Sequence, residues 1–182
     1  MLETDRLFLR RLTLDDVDNL LGIFSDPEAM KYYPGTKGRK ETIEWIDWNL
    51  KSYSEHGFGL WAVIRKDTST FAGQCGLIMQ RNVDGCDEVE IGYSFLRGQW
   101  NSGFATEAAI ACRDFGFADL NLRHLVSLID PENRASKRVA EKVGMSCEKE
   151  IDRWGKRIQV YGIERTAAQS SGSTGLGGIT SG

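Results

Sequence analysis

The stretch Glu88–Ala109, EVEIGYSFLRGQWNSGFATEAA, carries the most information in the chain. A strand-like run, Val89–Leu96, enters a loop containing Gly98, Asn101, Ser102 and Gly103, and the loop opens a helix predicted from about Gly103 to Asp119. Ala105, Ala108, Ala109, Cys112 and Phe115 share one side of that helix, small enough for close packing on a sheet. The first helical turn has amide N–H groups without intrahelical partners and the positive end of the macrodipole, which together favour an anion. Gly103 and Ala105 keep bulk away from an approaching ligand, and Ser102 and Thr106 can add hydroxyl donors. A pyrophosphate suits such a turn, although the same residues also build an ordinary strand-to-helix connection. Neither G-x-G-x-x-G nor G-x-x-x-x-G-K-[ST] occurs, so neither common nucleotide fingerprint applies.

Working outward, the periodicity alternates between strand and helix. Leu7, Leu9 and Leu12 predict a first strand, and Thr13 with Asp16 forms a capping-box-like start for a helix carrying Val17, Leu20, Leu21 and Phe24. Ser25–Lys40, with Pro27, Pro34 and Gly35, reads as a loop before a second helix, about Lys40–Glu55, that stops at Gly57. Leu60–Arg65, Thr70–Arg81 and Val89–Leu96 then form an antiparallel meander. After the helix from Gly103 come a strand His124–Ile129, a helix Asn133–Val143 closed by Gly144, and strands Ser146–Arg153 and Arg157–Arg165. The expected fold is a single α/β (α+β) domain over residues 1–166, with about seven mostly antiparallel strands in a mixed sheet and helices on both faces. Ala167–Gly182, mostly Gly, Ser and Thr without charge, reads as a flexible tail that adds nothing to the core.

Composition removes several function classes. The 182 residues carry a net charge of −3 with no basic block, which argues against coating nucleic acid. No apolar run approaches the ~18–20 residues of a membrane span, and the polar start has no apolar signal core behind it, so a soluble cytoplasmic protein is expected. Cys75, Cys86, Cys112 and Cys147 lack metal-ligand spacing, and only His56 and His124 could join them. Free thiols and no metal are expected, and a cysteine nucleophile has no local signature.

The motifs around the central loop resemble the GNAT superfamily of N-acetyltransferases. Trp100-Asn-Ser-Gly-Phe-Ala105 is similar to that superfamily's [Q/R/W]-x-x-G-x-[G/A] acetyl-CoA loop. Glu90-Ile-Gly-Tyr93, followed by Trp100…Gly103-Phe-Ala-Thr-Glu-Ala108, resembles its RimJ/RimL-type branch, as do Asn133-Arg-Ala-Ser136, Glu141-Lys-Val-Gly-Met145 and the opening Glu3-Thr-Asp-Arg-Leu-Phe-Leu-Arg10. The likeness spans about residues 2–165. It implies acetyl transfer from acetyl-CoA to an amine by direct attack, in a cleft where two central strands splay apart. It places the pantetheine arm beside Phe95 and Leu96. The pyrophosphate falls on the amides of Asn101, Ser102, Gly103, Phe104, Ala105 and Thr106, and Asn133 contacts the cofactor. Asn101 stands where the family usually has Gly, a replacement that a left-handed backbone tolerates.

Glu90, on the strand leading to the loop and sharing its face with Glu88 and Gly92, is the candidate base. A half-exposed strand glutamate that binds substrate or merely faces solvent is the plainer alternative. Many family members place a tyrosine acid four residues after the position of Ser136, where this chain has Ala140. Ser136 is the nearer candidate to assist the leaving thiolate, unless it only caps its helix beside Asn133. Tyr33 and Trp61 are candidates for the acceptor pocket, and the aromatic group Tyr32, Tyr33, Trp45, Trp48 and Trp61 reads more readily as core. Arg6, Arg10 and Arg11 read as a solvated strand edge, and His124 as a structural histidine. Acceptors consistent with the resemblance are a peptide N-terminus or a small-molecule amine, with room for a homodimer. The rival class is a non-catalytic acyl-CoA-binding sensor.

Overall fold

The computed structural model describes residues 1–166, and the predicted tail lies outside the described residues. The elements are β1 (Leu2–Glu3), β2 (Leu7–Arg11), α1 (Val17–Phe24), α2 (Arg39–His56), β3 (Leu60–Arg65), β4 (Phe71–Val83), β5 (Cys86–Phe95), α3 (Phe104–Ala118), β6 (His124–Ile129), α4 (Arg134–Val143), β7 (Ser146–Arg153) and β8 (Lys156–Glu164). One sheet holds every strand in the order β1-β2-β3-β4-β5-β6-β8-β7. It has eight strands where about seven were expected. The addition is β1, a two-residue strand opposite Phe8 and Leu9, too short to show a period of two.

The sheet's two faces are covered by different helices. On one, Leu20, Ile23, Phe24 and Ile46 from α1 and α2 pack on Leu60, Ala62 and Phe71. On the other, Phe104, Ala108, Ala109 and Cys112 of α3 and Ala140 and Val143 of α4 pack on Leu9, Val63, Cys75, Leu77 and Ile91. Phe71–Leu77 of β4 are buried without a break, as a central strand covered on both faces must be. Gly76 is required there, because a Cβ would lie 2.1 Å from the Gly59 carbonyl oxygen.

Among the described residues only β5 and β6 run parallel, and their ladder has a single register pair, Glu90 opposite Val126. β4 meanwhile follows β5 to Phe95, and β8 pairs with all of β6. The sheet therefore splits beyond Glu90 toward the C-terminal ends of two neighbouring strands. That split, with α3 opening beside it, positions the site.

The predicted helix ends hold. α2 stops at Gly57 (φ 78°) and α4 at Gly144 (φ 96°), both left-handed. Thr13 and Asp16 form the capping box, but on a 3-10 turn, Leu14–Asp16, that leads into α1. Asp16 is buried there and takes both Nη atoms of Arg10, at 2.7 and 2.8 Å. Arg10 is thus an anchored ion-pair partner, contrary to the solvated edge expected.

Candidate active site

The β5–α3 connection builds a turn of backbone amides left free among the described residues. Leu96 leads into a 3-10 turn, Arg97–Gln99, and the Trp100 indole N–H donates to the Phe95 carbonyl at 2.9 Å. Asn101 (φ 60°) and Gly103 (φ 80°) then adopt left-handed backbone, which Asn tolerates and Gly adopts without steric cost. Among the described residues, nothing accepts a hydrogen bond from the amides of Asn101, Ser102, Gly103, Phe104, Ala105 or Thr106; the first amide of the segment to be satisfied is Glu107, on the Gly103 carbonyl at 3.1 Å.

Two residues that the sequence reading left aside hold this turn. Arg6 donates from Nη1 to the Ser102 carbonyl (3.0 Å) and from Nε to Glu107 Oε2 (2.7 Å), with its guanidinium 4.7 Å from the Phe104 ring centroid. Glu107 also accepts from Thr4 Oγ1 (2.6 Å) and the Arg6 amide (3.0 Å). These donors hold the Glu107 carboxyl below its usual range despite partial burial. Arg6 is therefore a loop anchor, again not a solvated edge. The signal available in advance was an acid in the first turn of α3 facing an arginine-bearing first strand.

The split supplies a second set of free backbone groups. Antiparallel pairing of Ser94 with Gln74, and the Leu96 amide bond to Ala72 (3.0 Å), send alternate β5 groups toward β4. The groups of Ile91, Tyr93 and Phe95 point the other way. Ser127 Oγ donates to the Ile91 carbonyl at 2.9 Å, closing the base of the split. With the Phe95 carbonyl taken by Trp100, the edge left open is the Tyr93 amide and carbonyl and the Phe95 amide. Of the expected Phe95–Leu96 pair, Phe95 lies on this open edge through its amide, while the Leu96 amide is committed to Ala72.

Across the split, Asn133 caps α4 by accepting from the Ser136 amide at 3.1 Å. The Tyr93 hydroxyl donates to the Ser136 carbonyl at 3.1 Å, tying β5 to α4, and burial holds that phenol well above its ordinary value. Among the described residues the Ser136 hydroxyl has no partner. Ala140 is fully packed, so this helix offers no tyrosine in its place.

Glu90 stands where the strands part. Its Oε2 accepts from Gln80 Nε2 at 2.6 Å and its Oε1 from the Leu128 amide at 3.2 Å. Burial pushes the carboxyl up to about 7, against the opposing pull of those two donors and the Arg153 charge. That value suits a group exchanging protons near neutral pH.

Tyr33 reaches the same place from the loop after α1. The loop is fixed by the Tyr32 hydroxyl on the Glu132 carbonyl (3.2 Å) and by Lys156 Nζ, which bridges the Tyr32 carbonyl (2.8 Å) and Asp130 (2.7 Å). The Tyr33 side chain is half exposed, yet its hydroxyl end is desolvated and feels Glu90, which lifts the phenol to about 12. Trp61 is not brought to this site. It is 4% exposed and packs edge-on to Phe115 with centroids 5.4 Å apart. Trp45 donates to the buried Gln74 (3.0 Å), so the expected aromatic cluster divides between mouth and core.

A family model described as an acetyltransferase (GNAT) domain matches residues 6–146. The chain belongs to the GNAT acetyltransferase family. An uncharacterized Bacillus subtilis (strain 168) protein, YkkB, is 44% identical over 161 residues, covering 88% of this chain and 93% of that one. The uncharacterized N-acetyltransferase p20 of Bacillus licheniformis is 33% identical over 153 residues, covering 81% and 83%. Among solved structures, an acetyltransferase from Agrobacterium tumefaciens str. C58 superposes with TM-score 0.79 at 29% identity, covering 90% and 94%. A ribosomal L7/L12 alpha-N-protein acetyltransferase in complex with coenzyme A shares the fold, with TM-score 0.71 at 16% identity and coverage of 88% and 95%. Among the described residues, no group of His, Cys, Asp and Glu side chains could hold a metal ion, and no helix is long and apolar enough to cross a membrane.

Proposed function

We propose that this GNAT protein transfers the acetyl group of acetyl-CoA to a primary amine, a peptide N-terminus or a small-molecule amine, in a RimJ/RimL-like manner. The observation that carries the reading is a pair of features along one strand: β5 carries a desolvated carboxyl, Glu90, at its middle and ends in a turn of six amides unpartnered among the described residues. The residues fit the donor. Amides 101–106 provide donors and the helix dipole for a pyrophosphate, while Tyr93 and Phe95 leave backbone groups for the amides of a pantetheine arm. Asn133 fixes the α4 terminus beside them. Bound acetyl-CoA supplies an acyl thioester open to direct attack by an amine.

Glu90 accepts the proton that an incoming ammonium must lose before its nitrogen can attack. Tyr33, half exposed, walls the same space on its solvent side. Ser136, whose carbonyl takes the Tyr93 hydroxyl and whose own hydroxyl is free among the described residues, donates toward the leaving sulfur. Trp61 is left to the core in this reading.

The test is incubation of the chain with acetyl-CoA and a panel of N-terminal peptides, amino acids and polyamines, followed by mass spectrometry. Acetylated product from at least one class is expected. Tight acetyl-CoA binding without product from any amine favours the sensor instead.

A further inference from the structure

Four elements converge on Glu90, and the polar contacts among them determine one another. Arg153, at the end of β7, reaches back to the β4–β5 hairpin. Its Nη1 donates to the Asn82 carbonyl (2.9 Å), and its Nη2 to the Arg81 carbonyl (3.1 Å) and to Gln80 Oε1 (3.0 Å). A guanidinium only donates, so Gln80 must present its oxygen to Arg153. The opposite end of the amide, Nε2, then has one direction left, toward Glu90. We propose that Gln80, turned one way round by Arg153, is the positioning residue that sets the orientation and protonation state of the base Glu90.

Both Glu90 oxygens face donors, Gln80 Nε2 on one and the Leu128 amide on the other. A carboxylate satisfies both contacts, while the acid form brings an O–H into a place with no acceptor of its own. The network thus opposes the burial that favours the acid. Each oxygen keeps a second lone pair for the acceptor's proton, and that proton then leaves for water because nothing beside it accepts. The other groups bearing on Glu90 are the Arg153 charge from β7, the Tyr33 phenol from the loop and the Tyr93 phenol from β5. Neither phenol replaces the donors that Gln80 and Leu128 provide.

The inference rests on the reading of Glu90 as the base, and one experiment separates the two. Carbon-13-labelled glutamate in the full chain allows each side-chain carboxyl to be titrated by NMR, without any acceptor. One signal with a midpoint near 7, missing in Glu90→Gln, is expected. No such signal overturns the reading of Glu90 itself. If the signal is present, Gln80→Leu raises its midpoint by about one unit. Arg153→Lys keeps the charge but loses the fork that orients Gln80, so a rise of about half a unit is expected. An unmoved midpoint in Gln80→Leu overturns the positioning role. Should Gln80→Leu fail to fold, Arg153→Lys decides alone, since a merely charged Arg153 would leave the midpoint in place.

Discussion

The two ends of the split in the sheet are built on opposite plans. At the α3 end, six successive amides are bare among the described residues, and beside them Arg6 binds both Glu107 and the Ser102 carbonyl. At the Glu90 end, every carboxylate oxygen already has a donor, supplied by β4 and β6 and steadied by β7. The first end offers donors to a ligand and is made of backbone. The second stores a protonation state and is made of side chains. Under the proposed function, binding and proton transfer therefore rest on different physics, and substitutions should separate them.

The largest separation is expected from Glu90→Gln. Loss of the base should lower turnover about 10²–10⁴-fold, with acetyl-CoA affinity by calorimetry nearly unchanged. Stability should move the other way. The folded value of about 7 lies above the 4.5 of an ordinary glutamate. Glu90's contribution is thus fully present below the unfolded value and is lost as pH rises through the folded one. Above neutrality the variant should be more stable by roughly 2 kcal/mol, less than the full shift implies because an amide oxygen accepts from only one of the two donors. Urea unfolding at about pH 5 and pH 8 reads this; equal gains at both would show that Glu90 is not strained by ionisation.

Next in size is Gly103→Glu, which attacks the other end. The backbone at φ 80° disfavours any side chain, and a carboxylate would enter the turn proposed to hold the pyrophosphate. Acetyl-CoA affinity should fall at least roughly a hundredfold, about 2.7 kcal/mol. Retained affinity would move the pyrophosphate elsewhere and dissolve the contrast.

The contrast also explains what could be read from the sequence. The strand–loop–helix order, the helix-ending glycines 57 and 144 and the left-handed turn at Asn101 and Gly103 were legible because backbone geometry leaves local marks: Gly and Asn where φ is positive, small residues where a helix lies close. Glu90 was legible as a residue, but its surroundings were not. Gln80, Leu128 and Arg153 lie 10, 38 and 63 positions away, and no period connects them. Arg6 and Arg10 were misread for the same reason, since a strand arginine looks solvated until its partner, Glu107 or Asp16, is folded against it. Trp61 misled differently, as aromatic residues serve core and pocket alike, and only the placement of Phe115 decides between them.

A smaller effect tests whether the bare turn needs its anchor. Glu107→Gln removes the charge that holds Arg6 across the turn but keeps one acceptor. Arg6 is half exposed, so the direct loss of stability should be within about 1 kcal/mol. A released guanidinium no longer fixes the Ser102 carbonyl, and acetyl-CoA affinity should fall by about tenfold. Unchanged affinity would mean that the left-handed residues Asn101 and Gly103 shape the turn unaided.

The smallest expected effect concerns the closed side of the split. His124, the first residue of β6, lies between Glu88 of β5 and Glu148 of β7, with Nδ1 and Nε2 each 3.0 Å from a carboxylate oxygen. Burial alone would favour neutral imidazole, but the two carboxylates outweigh it and raise the histidine above its ordinary 6.5. The folded value exceeds the unfolded one, so this contribution is complete below about 6.5 and fades as pH rises through the folded value. The three side chains are partly solvated, which limits the expected contribution to about 0.5–1 kcal/mol. His124→Gln should cost that much at about pH 5.5 and little at about pH 8.5 by urea unfolding. Because this cluster sits on the paired side of Glu90, the variant should leave the Glu90 midpoint and acetyl-CoA affinity unchanged. If the Glu90 midpoint moves as well, the paired and parted sides of these two strands are one electrostatic unit, and the division between a binding end and a proton-transfer end must be redrawn to include β6 from its first residue.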